Sequence, residues 1–170
     1  VHRRCTARVQ PGCGTGSHPV DSRFAVVTRQ RTIVQPQRTT PLSKRFIGLM
    51  SGTSLDGVDA VLADFDGLRP TILGHCSAPL PPGLRCELLA LNSPTGNELH
   101  RAALAANGLA RLYADQVARL LRECGTTAST VLAIGAHGQT VRHRPQEFDE
   151  TGYTLQLNNP ALLAELCGIT

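Results

Sequence analysis

An α/β fold is predicted by three features of this 170-residue sequence. Short apolar runs from Phe46 onward follow one another with no room for a helix between them. One long segment then carries apolar residues at helical spacing. After it, strand-like and helix-like segments alternate, which indicates a layered α/β domain rather than a bundle or a sandwich.

Phe46-Ile47-Gly48-Leu49-Met50 is the first run, and it ends in the cluster Ser51-Gly52-Thr53-Ser54-Leu55-Asp56-Gly57. Val58 to Phe65 is the second, and an Asp66-Gly67 turn leads to the third, Pro70 to His75. Short apolar runs bounded by Gly, Asp and Ser read as strands, and connections this short make them antiparallel hairpins. Leu84 to Leu91 is expected to form a short helix. Thr95-Gly96-Asn97-Glu98 matches a capping box for a long one. Leu99, Ala103, Ala106, Ala110, Tyr113, Val117, Leu120 and Cys124 form its apolar stripe, and Gly125 is its expected stop. Gly108 inside it costs ~1 kcal/mol relative to alanine, tolerable at this length.

Val131 to Ala136 is apolar throughout, as expected of a parallel strand covered on both faces. A loop is expected next, then a strand over Tyr153 to Leu157. Asn159 then caps a helix that has Pro160 at its first position and Gly168 at its end. The sequence stops at Ile169-Thr170 as another strand would begin, so the fold reads as cut rather than finished.

Composition narrows the function. Hydrophobic residues make up 41% and charged ones 18%, which places the chain among globular proteins. Aromatics are 4% with no tryptophan, so the core must be aliphatic. No apolar run approaches the roughly 20 residues of a membrane span, and residues 1–45 lack the apolar stretch of a secretory signal, so neither a membrane protein nor an exported one is expected. Residues 1–45 carry nine Lys/Arg against one acid, a balance of +8, while residues 46–170 carry eight against twelve, −4. A basic tail on an acidic domain gives little reason to expect nucleic-acid binding by the domain. The tail shows no sustained period and is expected to be a disordered basic extension. A targeting peptide, an arm for an anionic partner and a non-native extension all fit it. Cys5, Cys13, Cys76, Cys86, Cys124 and Cys167 show no paired metal spacing and suit reduced, structural thiols in a cytoplasmic protein.

Chemistry concentrates in two segments. Ser51 to Asp59 offers two glycines, three hydroxyls and two carboxylates. Gly52 and Gly57 would let successive amides converge on an anion, with Ser51, Thr53 and Ser54 adding donors. Asp56 and Asp59 would repel a bare phosphate and make sense with a magnesium ion between. Glycine-rich hairpins of this kind are also commonly plain turns, and no lysine follows to make a Walker loop. The second segment is His137 to Arg144, at the carboxyl end of the central strand where open α/β sheets place ligands. Gln139, Thr140 and Arg142 could bond a sugar or an acidic substituent there, although a solvated basic loop fits equally. His75 reads as structural, His100 as exposed. A serine hydrolase is disfavoured because a strand, not a helix, follows the serines.

Ile47 to Asp59, with Gly135 to His143 and Thr154-Leu155-Gln156-Leu157-Asn158-Asn159-Pro160, resembles the anhydro-N-acetylmuramic acid kinase family. The likeness runs over 46–170, in order and without large gaps. It implies one lobe of an actin-like and hexokinase-like ATPase fold, ribonuclease H-like in its core. It also implies an ATP-dependent kinase that phosphorylates 1,6-anhydro-N-acetylmuramic acid while water opens the anhydro ring, recycling cell-wall peptidoglycan in the cytoplasm. By position, Gly52, Thr53, Ser54, Leu55, Asp56, Gly57, Val58 and Asp59 would form the ATP-phosphate loop. Asp56 or Asp59 would approach Mg2+, and His137, Gln139, Thr140 and Arg142 would lie near the sugar. The implied partner is a small-molecule amino sugar, with no nucleic acid or membrane, and the complete enzyme could be a homodimer. The family's catalytic aspartate lies shortly after the segment matching Gly168-Ile169-Thr170. This chain is therefore expected to hold no catalytic base and to lack kinase activity alone. A non-catalytic binding or interaction module derived from such a kinase is the alternative.

Overall fold

The computed structural model describes residues 44–66 and 69–170. The expected basic extension therefore lies outside the described residues except for Lys44 and Arg45, as do Cys5, Cys13 and the Gly67 half of the predicted turn.

Three antiparallel strands open the fold, as the sequence predicts: β1 Arg45–Ser51, β2 Gly57–Asp64 and β3 Thr71–Pro79. Helices α1 (Pro82–Ala90) and α2 (Glu98–Glu123) follow. The crossover returns as β4 (Val131–Ala136), parallel to β1, giving one mixed sheet in the order β3-β2-β1-β4. β5 (Gln139–Pro145) and β6 (Gly152–Leu157) form a separate antiparallel hairpin, and α3 (Pro160–Cys167) closes the order.

Alternation builds the core. Ile47, Leu49 and Ser51 of β1, with Val58, Ala60 and Leu62 of β2, are buried on one sheet face. All of these but Ser51 share a single cluster with Leu109, Ala110, Tyr113, Val117 and Leu120 of α2, Leu88 of α1, Val141, Leu157 and Leu163. Each buried leucine, isoleucine or valine among them stabilises the fold by roughly 1.5–3 kcal/mol.

Four expectations need correction. First, α2 starts at Glu98 behind Asn97, which is left-handed (φ 56°) and makes no side-chain cap. The Glu98 carboxylate does accept from the Thr95 amide, so half of the box forms. The Thr95 hydroxyl instead accepts from Arg101 at 2.6 Å, a charge-assisted bond that outcompetes a neutral cap. Glu87 holds that guanidinium through two bonds of 2.7 and 3.0 Å.

Second, Leu99 is 90% exposed and Ala103 is exposed as well. At 1.5 Å per residue the 26-residue helix is about 39 Å long, whereas the nine-residue β3 spans about 30 Å, so the first turns overhang the sheet. Gly108, by contrast, is where α1 meets α2: an added Cβ would lie 3.3 Å from a Leu84 methyl.

Third, β4 is not covered on both faces. Leu132 is 48% exposed and Gly135 is exposed. The sheet face opposite α2 carries an apolar pocket lined by Phe46, Gly48, Val61, Ala63, Phe65 and Gly135, with Phe46 and Phe65 edge to face at 5.4 Å.

Fourth, the expected loop after β4 is largely the strand β5. The turn joining it to β6 places Gln146, Phe148 and Glu150 at positive φ, and Asp149 accepts from the amides of Thr151 and Gly152 at 3.1 and 2.7 Å. Gly152 is required there, since a Cβ would fall 1.8 Å from the Arg144 carbonyl oxygen.

The last helix matches its prediction. The Asn159 side chain accepts from the Leu162 amide at 3.0 Å, Pro160 opens the helix, and Gly168 ends it in the left-handed region. Among the described residues no helix is long and apolar enough to cross a membrane.

Candidate functional site

β1 and β4 run parallel, and the two candidate segments leave their carboxyl ends side by side. The His137 amide extends this pairing by donating to the Leu49 carbonyl at 3.0 Å. Ser51 continues the Ile47, Leu49 parity and is therefore turned inward, only 2% exposed. Its hydroxyl donates to the Gly138 carbonyl and accepts from the Tyr113 hydroxyl, each at 3.2 Å. Ser51 is thus a core residue, contrary to its expected place among the anion donors.

Beyond Ser51 the chain makes a tight turn closed by the Leu55 amide bonding the Gly52 carbonyl at 3.1 Å. Leu55, not a glycine, takes the left-handed conformation here (φ 56°). That geometry costs a side-chain-bearing residue roughly 1–2 kcal/mol, and burial of the leucine in the core compensates. Arg85 of α1 anchors the turn from below, its Nε donating to the Leu55 carbonyl at 2.9 Å. Neither Gly52 nor Gly57 has positive φ. Gly57 is needed for a different reason: a Cβ would come within 2.5 Å of the Ala78 carbonyl oxygen on β3.

The Ser54 hydroxyl donates to Asp56 Oδ1 at 2.8 Å. That bond, helped by the Asp56 and Gly57 amides, holds the exposed carboxyl below the usual range. Asp59 points to the sheet face away from α2, with its Oδ1 3.2 Å from His75 Nε2. His75, expected to be merely structural, is therefore the neighbour of a predicted metal ligand.

The eight predicted loop residues do not line one cradle. Leu55 and Val58 belong to the core. Asp56, Gly57, Val58 and Asp59 nevertheless line one pocket of about 310 Å³ with Ser77, Ala78 and Pro79. Thr53 lines another, of about 230 Å³, with Asn92, Thr140, Val141, Arg142, His143 and Arg144. The structure thereby brings Thr53 together with Thr140 and Arg142 from the second segment. His137 is exposed and its Nδ1 lies 2.9 Å from the Gly138 carbonyl. Gln139 is enclosed at 1% exposure, with its Nε2 on the Thr140 carbonyl at 3.3 Å and its Oε1 without a partner among the described residues.

Arg142 is held from behind. Its guanidinium donates to Glu98 at 3.0 Å and to the Val141 carbonyl at 3.2 Å. Glu98 was legible only as a capping residue and Tyr113 only as part of an apolar stripe. Asn92 and Ser77 carry no sequence signal for a site, since pairing and packing alone bring them to the pockets. Among the described residues no three His, Cys, Asp or Glu side chains cluster to hold a metal. Two carboxylates on one pocket, one of them oriented and ionised, suit a magnesium ion that takes its other ligands from phosphate and water.

Comparison with known proteins adds an independent finding. Residues 44–170 match a family model described as anhydro-N-acetylmuramic acid kinase. The chain is 68% identical over 124 residues to the anhydro-N-acetylmuramic acid kinase of Variovorax paradoxus, covering 73% of this chain and 33% of that protein. Its counterpart in Albidiferax ferrireducens is 66% identical over 128 residues, 75% of this chain and 33% of the relative. The Bordetella pertussis protein of the same name is 62% identical over 132 residues, 78% and 34% respectively. The chain spans about a third of the length of these curated relatives.

Proposed function

The chain belongs to the anhydro-N-acetylmuramic acid kinase family, and from that premise we propose that it forms the phosphate-binding lobe of an ATP-dependent sugar kinase. The complete enzyme transfers the γ-phosphoryl of ATP to the 6-oxygen of 1,6-anhydro-N-acetylmuramic acid as water opens the anhydro ring. Its place is the recycling of cell-wall amino sugars in the cytoplasm. An actin-like, hexokinase-like lobe is supported by the β3-β2-β1-β4 order, with three antiparallel strands followed by a helical crossover to a parallel one.

The observation that carries this reading is the pocket where Thr53 meets Thr140 and Arg142. Phosphoryl transfer needs donors and cations that position and neutralise the transferring group. Thr53 stands on the nucleotide side and Thr140 with Arg142 on the sugar side, the guanidinium already aimed by Glu98. Asp56 and Asp59 would approach Mg2+ on the pocket they line with Ser77, where the ion would supply charge neutralisation for the phosphates. The Ser54 bond orients the Asp56 carboxylate for that role and lowers its pKa. None of the described residues is assigned as the catalytic base, and the chain alone is expected to be inactive.

Two measurements test this. The purified 170-residue chain should show no turnover of anhydro-sugar and should bind ATP and magnesium more weakly than about millimolar, with a binding free energy less negative than roughly −4.1 kcal/mol. A chimera continued after Thr170 by the corresponding remainder of the Variovorax paradoxus relative should phosphorylate the anhydro-sugar. Its Arg142→Ala form should lose about 1.5–3 kcal/mol of transition-state stabilisation, one charged hydrogen bond. An inactive but folded chimera, or full activity in the Arg142→Ala form, would overturn the proposal.

A further inference from the structure

The Tyr113 hydroxyl has no role in the reading above, yet it is placed at the junction of both candidate segments. A buried hydroxyl is unfavourable unless bonded, and phenylalanine would fill the same space without that demand. Tyr113 spends its bond on Ser51, 62 positions away in sequence, and not on its own helix. Ser51 passes the connection to the Gly138 carbonyl across 87 positions. All three residues are buried. Burial pushes the phenol up, partly offset by Ser51 and the Gly138 backbone, so it stays a neutral donor.

Gly138 is itself fixed. Its φ is +77°, and the space a Cβ would take is filled by the Leu157 carbonyl oxygen at 2.4 Å. Ser51 leads directly into the Gly52 turn, and Gly138 separates exposed His137 from enclosed Gln139. The three-residue clasp therefore lies beneath two segments whose polar residues meet in one pocket.

We propose that Tyr113 is a positioning residue which, through Ser51, holds the turn after β1 and the turn after β4 at a fixed separation, setting the width of the ligand cleft. This rests on the reading that those two turns bound the cleft. Hydrogen exchange followed by mass spectrometry on the 170-residue chain tests it, comparing wild type, Tyr113→Phe, Ser51→Ala and the double variant. Tyr113→Phe should accelerate exchange about five-fold, the equilibrium equivalent of one hydrogen bond, in both 52–57 and 137–140 while leaving β3 unchanged. Ser51→Ala should reproduce that pattern, and the double variant should exceed Ser51→Ala by nothing, because the two act through one hub. Additive effects, acceleration of one turn alone, or acceleration spread over α2 and β3 would overturn the clasp. If Tyr113→Phe does not fold, Ser51→Ala decides by the same two-turn criterion. Protection of 52–57 by ATP with magnesium in the chimera completed from the Variovorax paradoxus relative is a separate readout. Its absence counts against the cleft reading, while the four-variant comparison still decides the clasp.

Discussion

Substituting Gly57 by alanine asks whether the turn after β1 is shaped by strand packing or by glycine flexibility. The added Cβ would lie 2.5 Å from the Ala78 carbonyl oxygen, 3.3 Å from its carbon and 3.5 Å from Pro79 Cα. All three are backbone atoms of the partner strand, since Gly57 stands opposite Pro79 and Val58 opposite Ala78. The closest approach is about an ångström short of an ordinary contact, so β3 must lift away from β2 at this end. Overpacking of this kind costs ~1–3 kcal/mol. The Leu80 amide, which donates to the Asp56 carbonyl at 3.2 Å beside it, adds ~1 kcal/mol if it is lost. The expected destabilisation is therefore ~2–4 kcal/mol. Gly48 in the same sheet is the control, because an added Cβ there meets nothing within 4 Å. Gly48→Ala should be neutral or stabilising by up to ~1 kcal/mol, through the smaller chain entropy it has to lose. Urea unfolding followed by circular dichroism measures both, read at constant slope. A Gly57→Ala chain within ~0.5 kcal/mol of wild type, or a Gly48→Ala chain equally damaged, refutes the packing argument.

Gly74→Ala should cost ~1–3 kcal/mol because its Cβ would sit 2.2 Å from Cys124 Sγ. Cys124→Ala should recover most of that loss in urea melts, and an undiminished penalty in the double variant sinks the explanation. Asp149 is held below the usual carboxyl range by the Gly152 amide first and Thr151 second. Its support of the β5–β6 turn is therefore present above the unfolded pKa and lost as pH falls through the depressed folded value. Asp149→Asn should abolish the acid-dependent loss of amide protection in that hairpin, so an unchanged acid dependence contradicts the assignment. Burial raises the thiols of Cys76 and Cys167, whereas Cys86 is exposed on α1. Peptide mapping after iodoacetamide treatment should find Cys86 modified first among the cysteines of the described residues, and early modification of Cys76 would refute the packing of β3 against α2.

The opening meander was legible because two-residue alternation and short turns are local signals. β5 was not, because only Val141 among Gln139 to Arg144 is apolar, and its partner lies across a turn built from Gln146, Phe148 and Glu150 in conformations those residues seldom announce. β4 misled in the opposite direction. Its apolar run records what the strand tolerates, while the cover on each face is set by distant chain. The Thr95 cap failed for a similar non-local reason: Glu87, on another helix, delivers the arginine that takes the hydroxyl.

The site was half legible, and the missing half follows from parity. Ser51 shares a face with Ile47 and Leu49, so extending the first strand by one residue turns its hydroxyl inward on alternation alone. With Ser51 committed to Gly138 and Ser54 to Asp56, the hydroxyl that this turn contributes to the pocket with Arg142 is Thr53. The turn therefore divides its tasks residue by residue: Ser51 and Leu55 hold it to the core, while Thr53 and Asp56 face the pockets. That division makes a test possible without the remainder of the enzyme. Thr53→Val should leave amide exchange in 137–140 at the wild-type rate, as an exposed substitution does, whereas Ser51→Ala should accelerate it about five-fold, the equivalent of one buried hydrogen bond. The reverse ranking would show that the inward and outward assignments are exchanged.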